Sequence, residues 1–345
     1  MASIDLCVRG AGIFGLSIAW TALRRGARVR VIDPFGPAAG SSGGIVGALA
    51  PHVPENWNPK KAFQLESLLM AEEFWADVAA GGGGDAGYLR SGRVQPLRDA
   101  EAVALAKARR ETAKALWGDK ATWDVVPIGR DLWAPRSTTG LVIRDTLSAV
   151  IHPRKACSAL LQALARHGVT VEPEGETDAP TIWATGVQGL EELSLGHSRS
   201  LGTAVKGQAA LLQHNARGMS QIFVDGVHII PHSDGTVAIG STSETSFDDP
   251  TGTDAQLDDV IATARASVVM LRDAPVIDRW AGLRPRSRSR APMLGPWPDR
   301  PDYYIANGGF KIGFGMAPKV AQVMADLVLE GADHIPDGFR VEDNF

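Results

Sequence analysis

Apolar positions along the chain follow two periods, and the changes between them mark out the elements. Ile4-Asp5-Leu6-Cys7-Val8 is a short apolar run of buried-strand length. Residues 12–25 then carry Ile13, Leu16, Ala19, Trp20 and Leu23 at helical spacing. Gly26 closes that helix, and residues 28–33 return as a strand with alternating character. Strand, helix and strand in this order form one βαβ unit that opens an α/β domain.

Farther along, Asn58 and Pro59 supply a cap and first turn for a helix reaching about residue 79, which the glycines at 81–84 stop. Residues 99–116 predict a second helix, charged on one side. A strand is expected over 141–151, a helix from Pro153 to residue 167, and strands over 169–171 and 181–184. Two-residue alternation with turn residues over 204–243 predicts an antiparallel sheet, and 254–271 an amphipathic helix. A strand over 303–306, a glycine-rich loop over 308–315 and a helix over 317–329 close the pattern. This order predicts two interleaved domains. Residues 1–50, 145–200 and 278–345 form a nucleotide-binding domain, and 51–144 with 201–277 a substrate-binding one.

Composition adds limits. Of 345 residues, 44% are hydrophobic and 21% charged, as in an ordinary globular enzyme. A net charge of −4 argues against a nucleic-acid or anionic-membrane surface. The two cysteines, Cys7 and Cys157, make a disulfide framework improbable, and a cytoplasmic location is expected. No apolar run reaches membrane-spanning length.

Gly10-Ala11-Gly12-Ile13-Phe14-Gly15 places G-x-G-x-x-G between the first strand and helix. The first glycine permits the tight turn, the second lets the backbone reach a pyrophosphate, and the third allows close helix–strand packing. The helix N-terminus offers free N–H groups and its positive dipole end to that pyrophosphate. Asp33 ends the next strand eighteen residues past Gly15, where a carboxylate accepts hydrogen bonds from ribose hydroxyls. NAD and FAD both fit this motif. With one such motif after a strand, electrons are expected from an organic substrate rather than from a nicotinamide.

Five further segments narrow the choice: residues 41–51 (Ser-Ser-Gly-Gly-Ile-Val-Gly-Ala-Leu-Ala-Pro), Ala184-Thr185-Gly186, Lys206-Gly207-Gln208, Trp280-Ala281-Gly282-Leu283-Arg284-Pro285, and Asn307-Gly308-Gly309-Phe310-Lys311-Ile312-Gly313. In this order they resemble the D-amino-acid oxidase and glycine oxidase superfamily of flavoproteins over nearly the whole chain. The resemblance implies a Rossmann-like FAD-binding domain with an interleaved antiparallel-sheet substrate domain, the glutathione-reductase-2 type of flavoprotein. It implies noncovalent FAD held by Gly10, Gly12, Ile13, Phe14, Gly15, Asp33, Pro34, Ser41, Ser42, Gly47, Ala48, Leu49, Val171, Thr185, Gly186, Gly308, Gly309, Phe310, Lys311, Ile312 and Gly313. The residues agree physically. Small side chains at 41–48 let the backbone approach a flat ring, and the loop before the last helix aims a dipole N-terminus at it.

The resemblance also implies that Arg284 grips a substrate carboxylate, with a guanidinium fork giving orientation as well as charge. Lys311 lies near where glycine oxidases carry an arginine, and His52 follows the segment that passes the flavin. His228 stands near the family's usual tyrosine, with pocket and structural roles both open. His228 and His232 lack a third ligand nearby, so no metal is expected. The run Arg284-Pro285-Arg286-Ser287-Arg288-Ser289-Arg290, if extended, puts four arginines on one face. It reads as a solvated edge, against a dicarboxylate or polyanionic substrate or an acidic electron-accepting partner.

The implied activity is hydride transfer from the Cα of an amino acid or secondary amine to flavin N5, giving an imine, with oxygen or an electron carrier as acceptor. Positioning does most of the work and no essential base is expected if the amine binds neutral. Two alternatives remain: a dehydrogenase of the same fold, and the oxidase module of a tRNA wobble-uridine modification enzyme. The negative net charge disfavours the second.

Overall fold

A computed structural model describes residues 3–195 and 197–345. The opening strand is Leu6–Arg9, the helix after it Ile13–Arg24, and the returning strand Val29–Ile32, parallel to the first with Leu6 opposite Val29. They belong to a six-stranded sheet. Thr181–Trp183 and then Tyr303–Asn307 extend it on one side and Val171–Glu172 on the other, all parallel, while Met293–Pro296 adds an antiparallel edge. Helices Ile13–Arg24, Pro59–Val78, Pro153–Arg166 and Gly313–Glu330 bury their apolar faces with this sheet in the largest core cluster. Trp20, 1% exposed, fills its centre, and the turn at Gly81 passes so close that an added side chain would overlap the indole.

The larger sheet has eight strands: Val276–Ser287, Gly202–Gln213, Thr236–Gly240, Val227–Pro231, Gln221–Val224, Arg93–Pro96, Leu141–Asp145 and Trp123–Pro127, in that order. All its neighbours are antiparallel except Gln221–Val224 with Arg93–Pro96. Helix Ala255–Ser267, capped by the Asp254 carboxylate on the Gln256 N–H at 2.9 Å, lays Leu257, Ile261 and Ala264 on Leu212, Ile229 and Ile239. Capping by Asn58 and Asp99 starts helices Pro59–Val78 and Ala100–Trp117 in the same way.

Several expectations change. The strand expected over 141–151 breaks in two, because the Asp145 carboxylate turns the chain by accepting from the Ser148 N–H at 2.8 Å. Its second part, Ala149–Val150, pairs with Ala48–Leu49 instead. Val276–Ser287 is one long strand against Gly202–Gln213, so residues 278–287 join the larger sheet rather than the nucleotide-binding segments. Helix Gly186–Ser194 was not anticipated, and the closing helix starts at Gly313 and carries Pro318 inside it. No helix among the described residues is long and apolar enough to cross a membrane. Both cysteines are buried and unpaired.

Asp145 is fully buried and ion-paired to buried Arg93 at 3.0 Å, across the strands Arg93–Pro96 and Leu141–Asp145. Removing one partner of such a pair leaves a desolvated charge. Asp145→Asn is therefore expected to lower unfolding free energy by about 3–5 kcal/mol, read from denaturant melts; a change within experimental error would show that Arg93 finds another partner.

Candidate active site

Between the two sheets runs a cleft of about 910 Å³. One end is built by the opening strand–helix turn. Gly10 sits at φ +104°, and a side chain there would overlap the Ala184 carbonyl of the neighbouring strand end. A side chain at Gly15 would overlap the Gly10 carbonyl, so both glycines keep the backbone at contact distance. Gly12, in contrast, lines the cleft and is the N-cap of helix Ile13–Arg24. The cap offers no side chain, and Ser42 supplies one from elsewhere: its Oγ accepts from the Ile13 N–H at 2.9 Å. The Asp33 carboxylate accepts from the Ala11 N–H at 2.7 Å and from the Phe35 N–H at 2.9 Å, which locks it at the cleft wall.

The middle wall is the segment 41–48. A side chain at Gly47 would overlap the Ile151 carbonyl, and one at Gly44 would meet the Trp280 ring at 3.2 Å. Asn307 ties two strand ends together, donating from Nδ2 to the Gly186 carbonyl at 2.8 Å while its Oδ1 accepts from the Gly308 N–H at 2.7 Å. Next comes Phe310, a non-glycine residue at φ +45°, whose N–H donates to the Pro285 carbonyl at 3.0 Å. Such backbone is costly for a bulky residue. Helix Gly313–Glu330 then begins with Gly313 and Phe314 at the cleft.

At the other end lies Arg284, 9% exposed. Its guanidinium rests over Gly207, where any side chain would overlap it, and Gly207 faces Gly282 across the strands. Its hydrogen bond, Nη1 to the Thr242 carbonyl, is a long 3.3 Å. No carboxylate of the described residues lies within 4.0 Å of Arg284 or Lys311. Burial pushes the Arg284 pKa down to about 10 against the attraction of Glu244, and burial with the Arg284 charge lowers that of Lys311. Lys206 and Gln208, flanking Gly207, point the other way and bind Glu244 at 3.6 and 3.0 Å.

The cleft gathers most residues expected there: Gly10, Gly12, Ile13, Phe14, Asp33, Pro34, Ser41, Ser42, Gly47, Ala48, Thr185, Gly186, Arg284, Gly309, Phe310, Lys311 and Gly313. Gly15, Leu49, Gly308 and Ile312 stand behind that wall, and Val171 pairs with Val31 away from it. His52 does not line the cleft either; its Nδ1 and N–H both turn to the Gln64 side-chain oxygen. His228 packs on Phe223 with ring centroids 4.6 Å apart, and burial with the charges of Arg93 and Lys311 pushes its pKa down to about 3. The four arginines do not share a face. Arg286 lies over the Phe310 ring at 5.8 Å, whereas Arg288 and Arg290 fall in the exposed turn after the strand ends at Ser287. Sequence reasoning missed Arg9, Trp183, Trp280 and Asn307 as wall residues. Arg9, set over the Trp183 ring at 5.1 Å, precedes the first glycine where no motif marks it.

Compared with known proteins, residues 5–327 match the family described as FAD dependent oxidoreductase, DAO. The chain belongs to that family. It is 28% identical to a glycine oxidase of Pseudomonas putida over 97% of each chain. Among solved structures, glycine oxidase from Geobacillus kaustophilus superposes with a TM-score of 0.83 at 19% identity, covering 99% of both chains. Iminodiacetate oxidase from Chelativorans sp. BNC1 gives 0.82 at 20% identity over 97% and 98%. The resemblance read from the five segments therefore holds, as does the two-sheet flavoprotein fold.

The residues fit FAD. Asp33, the bare backbone at Gly10 and Gly12 and the start of helix Ile13–Arg24 suit a ribose and a pyrophosphate. The side-chain-poor wall at 44–48 and the start of helix Gly313–Glu330 suit a flat ring that gains negative charge on reduction. Gly12→Val is expected to fold but to purify almost free of FAD, because its Cβ already meets Ser42 Oγ at 3.1 Å and its methyls stand where the pyrophosphate must lie. Flavin released by acid from a weighed amount of variant decides this; full occupancy would place the pyrophosphate elsewhere.

Proposed function

We propose that the protein oxidises the carbon–nitrogen bond of an amino acid or secondary amine whose carboxylate is held by Arg284 and Lys311. The observation that carries this reading is the unmatched charge at the inner end of the cleft. Arg284 is buried beside the exposed Lys311 with no carboxylate of the described residues in ion-pair reach, and the arginine keeps most of its five donors free. Such a site is costly when empty and favourable once an anion fills it. The glycine oxidase and iminodiacetate oxidase relatives are named for amino-acid and imino-acid substrates, which supports an anionic amine here.

FAD, when bound, supplies the two-electron acceptor for hydride leaving the carbon that bears nitrogen. The chain's residues do the positioning. Gly207 and Gly282 leave the space in which the Arg284 fork lies flat, and the strand pair fixes its direction. Lys311 adds charge from the cofactor loop, so the carboxylate is gripped from both sheets. Trp280, Leu283 and Phe310 wall that end and exclude water, which strengthens the ion pairing.

Arg284→Ala and Arg284→Lys are expected to keep FAD and lose turnover of carboxylate-bearing amines. Truncating one partner of a buried charge pair costs about 2–5 kcal/mol, so kcat/KM falls between about thirtyfold and several thousandfold. Lysine keeps the charge without the planar fork and rescues in part. Turnover of an amine without a carboxylate is the control and changes little. Near wild-type efficiency in Arg284→Ala on the best substrate would end the carboxylate-clamp reading.

A further inference from the structure

Away from the cleft, a cluster of side chains has no task in the reading above. His152 precedes helix Pro153–Arg166, while His232 and Asp234 lie at the turn between strands Val227–Pro231 and Thr236–Gly240. The two imidazoles stack with centroids 4.3 Å apart, and one donor atom from each of the three residues lies within 4.8 Å of the others. His152 is 8% and His232 2% exposed, whereas Asp234 faces solvent and leaves an access route.

The hydrogen bonds assign the protons. Thr236 Oγ1 donates to Asp234 Oδ1 at 2.7 Å, having no other carboxylate to serve. Its lone pair therefore accepts from His232 Nδ1 at 3.1 Å, so the His232 proton sits on Nδ1. His232 Nε2 is then a buried lone pair with no hydrogen-bond partner. The neighbouring Ile45 carbonyl could pair with it only as an N–H, the tautomer that the Thr236 bond disfavours. A ligating histidine whose other nitrogen is held by a fixed acceptor is the arrangement found around bound metals. His152 Nδ1 accepts from the Lys155 N–H at a long 3.4 Å, which leaves its proton on Nε2, 3.4 Å from Asp234 Oδ2; a metal binding there displaces that proton.

We propose that His152, His232 and Asp234 form a site for a divalent transition metal of the zinc class, with a solvent molecule completing the shell. Two neutral imidazoles and one carboxylate, with one position open, match the donor preference of such ions. Thr236 is the supporting residue, since it orients both His232 and Asp234. The competitor is Lys155, whose Nζ stands 3.8 Å from Asp234 Oδ2 and 3.5 Å from Ser233 Oγ and must swing away on binding. His152 comes from the helix layer and His232 from the larger sheet. The ion would therefore clamp the two layers together behind the cofactor segment at Ile45.

The test titrates zinc(II) into FAD-loaded, chelator-treated enzyme by calorimetry. One equivalent is expected to bind the wild type. Asp234→Ala, a surface change checked for unaltered flavin content, is expected to weaken binding at least about tenfold, and Thr236→Val about tenfold through loss of the supporting hydroxyl. Lys155→Met, which removes the competing charge, is expected to tighten it. Failure of the wild type to bind zinc(II), or equal affinity in the wild type and Asp234→Ala, would overturn the site.

Discussion

Backbone must touch backbone where the first strand hands over to the first helix, and the rest of the molecule is arranged around that contact. Gly10 presses on the Ala184 carbonyl and Gly15 on the Gly10 carbonyl, so neither position tolerates a β-carbon. The contact sets the helix angle and aims its unpaired N–H groups into the cleft. It also sets the distance between the opening strand and Thr181–Trp183, and through them the place of Tyr303–Asn307, which delivers the cofactor loop. The Asp33 bond to Ala11 and the Ser42 bond to Ile13 then secure the same turn from two sides.

The Arg284 end of the cleft works by the opposite means. There the protein buries a charge and withholds its partner. A guanidinium under desolvation stays in place because the strands on either side are glycine where it passes, and because the Lys206, Gln208 and Glu244 network keeps its own charges occupied on the other face. Glu244 is held on that other face by its hydrogen bonds to Gln208 and Thr242.

What was legible in the sequence followed from how local each signal is. The βαβ unit, the capped helices at Asn58, Asp99 and Asp254 and the glycine fingerprint depend on neighbours within a few residues, and they lie where periodicity puts them. Val276–Ser287 was missed as a strand because its alternation is masked by arginines and a proline, which only its partner Gly202–Gln213 makes regular. The break at Asp145 is made by a local bond to the Ser148 N–H, but the carboxylate is held in the core by Arg93, fifty-two residues away. His52 was placed near the pocket by chain position alone, whereas the structure ties it to Gln64 on the following helix; the Phe223 that packs on His228 stands opposite it in one hairpin. Arg9 and Trp183 form part of the wall through strand pairing, and no motif announces a pair made that way.

The hydrogen bond from the Phe310 N–H to the Pro285 carbonyl links the two ends of the cleft. One side of that hydrogen bond belongs to the loop before the last helix, the other to the residue after Arg284. Loop and arginine therefore share one rigid joint, and a ligand that stabilises either side lowers the cost of arranging the other. On the proposed function, any enhancement of carboxylate binding by the dinucleotide through that joint would be matched by an equal enhancement of dinucleotide binding by the carboxylate.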